Sequence, residues 1–185
     1  MSVINAGFAC FGKSGFQKTV MSEIAETARA SKATLFHDFG TKVDLYNFLF
    51  NFACDEISKN VPIETQDFME CISISTKVKY EVMAQYPGIY HFLVAVMQDE
   101  SEEAEKLRRH ANTRATAEES ETLFAKVDWS NFRPNVSPMD ALDLLTWVSM
   151  GCLKGNWEKS QAEILSEIER YLDLIKQAIY KEKVK

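Results

Sequence analysis

Ser31, Lys32, Thr34 and His37 fall within seven residues. Side chains of these types, set on one face of a helix, can donate to phosphate oxygens and to base edges. The spacing provides that helix. Ser31 is placed to cap it, Leu35 to face inward, Phe36 and Phe39 to lie near its end, and Gly40 to stop it. Upstream, Thr19 is expected to cap a second short helix with Ile24 and Ala25 inward. Two capped short helices with a tight break over residues 19–38 have the layout of a helix-turn-helix, which lays its second helix in a DNA major groove. On this reading Thr19 and Ser31 open helices whose free N–H groups suit phosphate oxygens. Lys32, Ala33, Thr34 and His37 form the outward face of the second helix. Ala33 allows close backbone approach, and its methyl suits a thymine methyl. His37 is either a base reader or a solvated surface histidine. Lys42, at the start of the following helix, is the strongest phosphate-clamp candidate.

Other chemistries find less support. Asp99, Glu100, Glu102, Glu103 and Glu105 read as the solvated acidic start of a helix rather than a metal cluster. The chain carries no Glu-x-x-His pair, Gly-rich phosphate loop or Gly-x-Ser-x-Gly elbow, so an enzyme has no motif behind it, and no metal or cofactor is expected. Cys10, Cys54, Cys71 and Cys152 are scattered in apolar contexts and read as small buried hydrophobes in a reducing, cytoplasmic setting. No signal peptide is read at the start. The longest apolar run, 141–153, contains Asp143 and is too short to span a membrane.

The elements that position these residues are helical throughout. Of 185 residues, 46% are hydrophobic while only 7 are Gly and 4 are Pro, which favours helices over many short strands. Ile4, Phe8 and Phe11 share one face of a first helix that Gly15 closes. Thr41-x-x-Asp44 opens a long fourth helix, and Pro62 breaks it. Further helices are expected at about 65–86, 89–97, from about 99 to 125, from Ser137-Pro138 to about 159, and at about 162–181, with a loop at 129–135. The total is about nine. The net charge is −6, but residues 1–50 carry five Lys and Arg against four acids. A near-neutral head on an acidic body suits localised phosphate contact, not a basic coat.

From Ile4 to Leu49 the chain resembles the DNA-binding head of the TetR family of transcriptional regulators. The residues that carry the resemblance are Phe11-Gly12-Lys13-Ser14-Gly15-Phe16, Thr19, Ile24-Ala25, Ser31 to Phe39, and Thr41-Lys42-Val43-Asp44-Leu45. Two departures stand out. Arg29 occupies a turn position where the family usually has Gly and where positive φ is often needed, so either the turn is rebuilt or Arg29 accepts strain and reaches a phosphate. Only three residues precede Ile4, which leaves no basic arm for the minor groove. Phe36 replaces the family's usual Tyr. The resemblance implies an all-α fold with a helix-turn-helix head at 1–47 and a helical regulatory, ligand-binding and dimerisation body at 48–185.

It also implies a homodimer formed by the last two helices, whose apolar faces are wider than one buried stripe requires. The interface candidates are Trp147, Gly151, Gly155, Ile164, Ile168, Tyr171, Leu172, Ile175 and Ile179; the alternative is that the large residues fill the monomer core. A body pocket for an apolar or amphipathic small molecule is expected around Phe68, Met83, Tyr90, Met97, Trp147 and Met150, residue types that also make ordinary cores. The expected function is a ligand-responsive transcriptional regulator, a repressor released from operator DNA by a small molecule. The alternative is a helical dimeric module that binds a small molecule or protein and has lost DNA binding.

Overall fold

Nine α-helices and one 3₁₀ turn make up the described residues of the computed structural model, which are 2–58, 64–114, 126–154 and 161–181. They are α1 (Val3–Lys18), α2 (Met21–Ala28), α3 (Lys32–Phe39), α4 (Lys42–Ser58), α5 (Phe68–Gln85), α6 (Ile89–Gln98), α7 (Glu102–Arg114), α8 (Pro138–Lys154) and α9 (Gln161–Ile179), with the 3₁₀ turn at Trp129–Asn131. That turn lies inside the segment expected to be loop. The helix expected to reach about residue 125 is described to Arg114, and the remainder of that expectation lies outside the described residues.

The chain divides into two compact units. One takes Met1–Val61 and Val78–Ser120, the other Pro62–Lys77 and Glu121–Lys185, so α5 contributes to both. The first unit holds α1 to α4, the second half of α5, α6 and α7. Its core is aromatic: Phe8, Phe11, Tyr46 and Phe92 are all nearly or fully buried, with the Phe11 and Phe16 rings each 4.9 Å from Tyr46. Helix α1 crosses α6 at backbone range. A Cβ on Gly12 would lie 2.9 Å from the Phe92 nitrogen, so no larger residue fits there without moving a helix.

The second unit packs the start of α5 with α8, α9 and residues 127–136. Phe68, Trp129, Phe132 and Tyr180 form a continuous ring cluster, with centroids 5.1–5.5 Å apart. The Tyr180 hydroxyl accepts from Met69 N–H (3.0 Å) and donates to Asp67 Oδ1 (3.0 Å), tying the end of α9 to the start of α5. Arg133 donates to the carbonyls of Tyr180 (2.9 Å) and Gln177 (3.1 Å), which a helix end leaves free. Ser137 and Asp140 cap α8 reciprocally: Ser137 N–H reaches Asp140 Oδ2 at 2.8 Å and Asp140 N–H reaches Ser137 Oγ at 3.1 Å. Cys10, Cys71 and Cys152 are buried and Cys54 is half-buried; burial pushes the Cys10 and Cys71 thiols up. Among the described residues no helix is long and apolar enough to cross a membrane.

Candidate nucleic-acid interface

The α2–α3 corner is built from local chemistry. Ile24 is fully buried and Ala25 nearly so, and they anchor α2. The helix ends on Arg29 at φ 56°, ψ 38°, in the left-handed region. Arg29 N–H bonds Glu26 O at 3.0 Å and Ala30 N–H bonds Ala25 O at 2.9 Å, the paired closure of a Schellman ending. The turn therefore keeps its usual geometry with a non-glycine residue in it, at a cost of about 1 kcal/mol, and the Arg29 side chain is exposed.

Ser31 then caps α3. Its Oγ accepts from Thr34 N–H at 3.0 Å and lies 2.7 Å from Thr34 Oγ1. Of the eight residues of α3 only Leu35 is buried. Lys32, Ala33, Thr34, Phe36, His37 and Asp38 are exposed, and Phe39 is half-buried against the core. Lys32 Nζ sits 5.7 Å from the Phe36 ring centroid, and His37 Nδ1 is 2.9 Å from Asp38 Oδ1. The outward face thus combines a cation, a methyl, a hydroxyl, an aromatic ring and an imidazole. It also carries Asp38, a carboxylate that the sequence reading did not weigh. Gly40 ends the helix, with its N–H on Phe36 O at 3.1 Å. Thr41 and Asp44 cap α4 reciprocally, and the Thr41 hydroxyl and N–H hold the Asp44 carboxyl below the usual carboxylate range.

Two assignments are corrected. Thr19 does not open α2. It is fully buried at the end of α1, where its hydroxyl donates to Gly15 O (2.8 Å) and Cys10 O (3.2 Å), and Val20 precedes α2 without a side-chain cap. A hydroxyl sealed in this way is out of reach of a phosphate. Lys42 is half-buried and points back to the same helix end: Nζ donates to Phe16 O (3.0 Å) and Thr19 O (3.2 Å) and lies 4.3 Å from the Phe16 ring centroid. Its donors are largely committed to neutralising free carbonyls of α1, so its first role is structural.

Asp99 was missed. Read as part of a solvated acidic stretch, it is half-buried at the end of α6. It accepts from Phe16 N–H at 2.8 Å and from Ser101 N–H at 2.8 Å. Burial pushes its carboxyl up, but these hydrogen bonds and the Arg108 charge outweigh that and leave it below the ordinary value. The local signal was Gly15, which breaks α1 at φ 70° and so frees the next N–H. The acceptor lies 83 residues away, where no sequence pattern points.

The body candidates divide between the two units. Phe68 is fully buried inside the ring cluster of the second unit; in the first unit Met83 packs against the core and Tyr90 is buried. Met97 is 42% exposed and Trp147 68% exposed, and the Met150 side chain lies outside the described residues. The second unit holds a cleft of about 570 Å³ between α5 and α9. Asp67, Glu70, Lys77, Glu169, Asp173 and Lys176 make it largely charged, and it includes none of the six expected residues.

Three interface candidates are also corrected: Ile164, Ile175 and Ile179 are at most 5% exposed and are spent inside their own unit. Trp147 and Gly151, one turn apart on α8, are exposed, and nothing lies within 4 Å of where a Gly151 Cβ would stand. Ile168, Tyr171 and Leu172 are half-buried. Leu174, which was not among the candidates, is 51% exposed. Gly155 lies outside the described residues. No group of three or more potential metal ligands occurs among the described residues.

Comparison with known proteins agrees with this geometry. Residues 3–48 match the family described as bacterial regulatory proteins, tetR family. No curated protein matches the chain. Solved structures match in fold over nearly its whole length. NalD of Pseudomonas aeruginosa, described as the secondary repressor of the MexAB-OprM multidrug efflux pump, is 16% identical with a TM-score of 0.68, over 97% of this chain and 96% of that one. TylP, a TetR regulator from Streptomyces fradiae, is 16% identical with a TM-score of 0.71, over 97% of this chain and 85% of that one. The fatty acid degradation regulator FadR of Bacillus halodurans is 15% identical with a TM-score of 0.64, over 99% and 98%.

Proposed function

We propose that the chain, whose residues 3–48 match the tetR family of bacterial regulatory proteins, is a cytoplasmic DNA-binding transcriptional repressor released from its operator by a small molecule. Residues 1–47 act as the DNA-binding head and residues 48–185 as the regulatory and dimerising body. The observation that carries the reading is α3, a capped helix with one buried residue and six exposed ones, among which Lys32, Thr34 and His37 suit base edges and phosphates. The two units of a twofold homodimer then place their α3 helices about 34–36 Å apart, one turn of DNA. Repression is the activity printed for NalD and is taken from that likeness in fold. An effector acts as a switch by binding the DNA-free and DNA-bound states with different affinity, typically by about 1–3 kcal/mol. Its class is open between the apolar molecule the sequence suggests and a charged one suited to the α5–α9 cleft.

The test is selection of duplexes from a random pool, followed by titration of the selected duplex across a salt series. The wild-type chain selects a site with two related half-sites. Lys32→Ala weakens binding to all sequences and lowers the salt slope by about 1, while His37→Ala changes base preference. A second reading, a helical dimer without DNA binding, draws on Asp38 within the α3 face and on Lys42 being turned inward. The absence of any salt-sensitive, sequence-selective complex would establish it.

A further inference from the structure

Asp99, the backbone of Phe16 and Lys42 form one continuous set of hydrogen bonds inside the first unit. Asp99 Oδ2 takes the Phe16 N–H at 2.8 Å, and the Phe16 carbonyl takes Lys42 Nζ at 3.0 Å. The Gly15 break frees the Phe16 N–H, and the end of α1 at Lys18 frees the Phe16 carbonyl. At φ 70°, ψ 176° the α1 backbone leaves its helical path, and Phe16 must find partners outside its own helix. Asp99 is itself held from the other side, since its carbonyl accepts from Arg108 on α7 at 2.7 Å and its Oδ1 accepts from Ser101 N–H at 2.8 Å. Lys42 is the first residue of α4 and stands three residues after the last residue of α3. The set therefore connects the α6–α7 corner to the junction where the recognition helix ends.

We propose that Asp99 is a positioning residue for the DNA-reading helix, acting through the Phe16 backbone and Lys42 to set where α4 begins and so where α3 lies. The proposal rests on the DNA-binding reading above for its consequence, but not for its geometry. The hydrogen bonds of Asp99 go to Phe16, Ser101 and Arg108, none of them on α3. It fixes one polar group of Phe16 while Lys42 grips the other, so loss of either leaves the broken end of α1 free to shift against α4. The Tyr46 hydroxyl is buried with no hydrogen-bond partner among the described residues, and its ring lies tilted against Phe16 with the centroids 4.9 Å apart. Tyr46 thus supplies packing at this joint and no polar restraint; the Thr19 hydroxyl ties the end of α1 to its own helix, while Asp99 and Lys42 tie it to α6 and α4.

The experiment uses the full-length chain and compares Asp99→Ala, Asp99→Asn, Lys42→Met and the Asp99→Ala/Lys42→Met double variant. Amide resonances and their exchange are followed by NMR without DNA, and affinity is measured on the wild-type-selected duplex across a salt series. Asp99→Ala is expected to speed exchange at Phe16, to shift the amides of Thr34 to Thr41, and to weaken DNA binding about tenfold with the salt slope unchanged. Asp99→Asn keeps an oxygen that accepts from Phe16 N–H and restores most of both readouts. The double variant is no worse than the poorer single variant, because the two bonds share one backbone unit. The proposal is overturned if Phe16 loses protection while the α3 amides stay in place, if Asn is as harmful as Ala, or if the two effects multiply. Should Asp99→Ala not fold, Lys42→Met carries the same test: the α3 amides move or they do not. If the wild-type chain selects no duplex, the DNA-binding reading falls, and the NMR arm alone decides the positioning role.

Discussion

Arg29 shows how much one residue can reveal about a site. Its backbone sits at φ 56°, where Gly is free and other residues are strained, yet its side chain is exposed in the turn between α2 and α3. Strain kept at such a place signals that the side chain is used. Arg29→Gly is accordingly expected to raise the melting temperature by about 2–4 °C, the equivalent of roughly 1 kcal/mol in a chain of this size, and to weaken DNA binding several-fold. Unfolding followed by circular dichroism, together with duplex titration, checks both. A melting temperature that stays level or falls would show that the turn is not strained. Sequence and structure agree at this residue because the positive-φ demand is local: a tight break between two capped helices asks for it wherever it occurs. They part at Thr19 and Lys42. A hydroxyl before a helix and a lysine at a helix start look alike whether they face solvent or fold back, and here both turn to the free carbonyls at the end of α1.

At the scale of elements, the caps were legible and the crossings were not. Ser31 with Thr34, Thr41 with Asp44, and Ser137 with Asp140 each act within three residues, so their pattern is complete in the sequence. The crossing of α1 and α6 is a different matter. It joins Gly12 to Phe92 at backbone distance, and nothing near Gly12 in the chain announces α6. Gly12→Ala places a methyl against the Phe92 nitrogen and the His91 carbonyl carbon, both backbone atoms that cannot rotate aside. The helices must then part, which costs about 1–3 kcal/mol. Chemical denaturation would read this as a lower midpoint with an unchanged slope. Because the head and α6 share one compact unit, the same substitution is expected to weaken DNA binding more than its stability loss alone explains. Equal affinity at full folding would mean that α3 tolerates the shift.

For the whole molecule the proposed homodimer must draw its surface from what the fold leaves exposed. Both α8 and α9 are apolar on more than one side, so sequence alone did not separate the residues facing their own unit from those left over. Burial separates them. Ile175 is 5% exposed and Leu174, its neighbour, 51%, so one serves the fold and the other is available to a partner. Trp147, 68% exposed and one turn from the open position at Gly151, is the large aromatic that a dimer centre favours. Trp147→Asp is therefore expected to weaken self-association by about 2–4 kcal/mol and to leave a folded monomer. Leu174→Asp acts the same way with a smaller effect, and Ile175→Ala lowers the melting temperature instead. Sedimentation equilibrium at several concentrations, paired with thermal melts, distinguishes these outcomes. Trp147→Asp remaining fully dimeric would move the interface off α8. A chain already monomeric before substitution would remove the dimer, and with it the paired half-sites expected of the selected DNA.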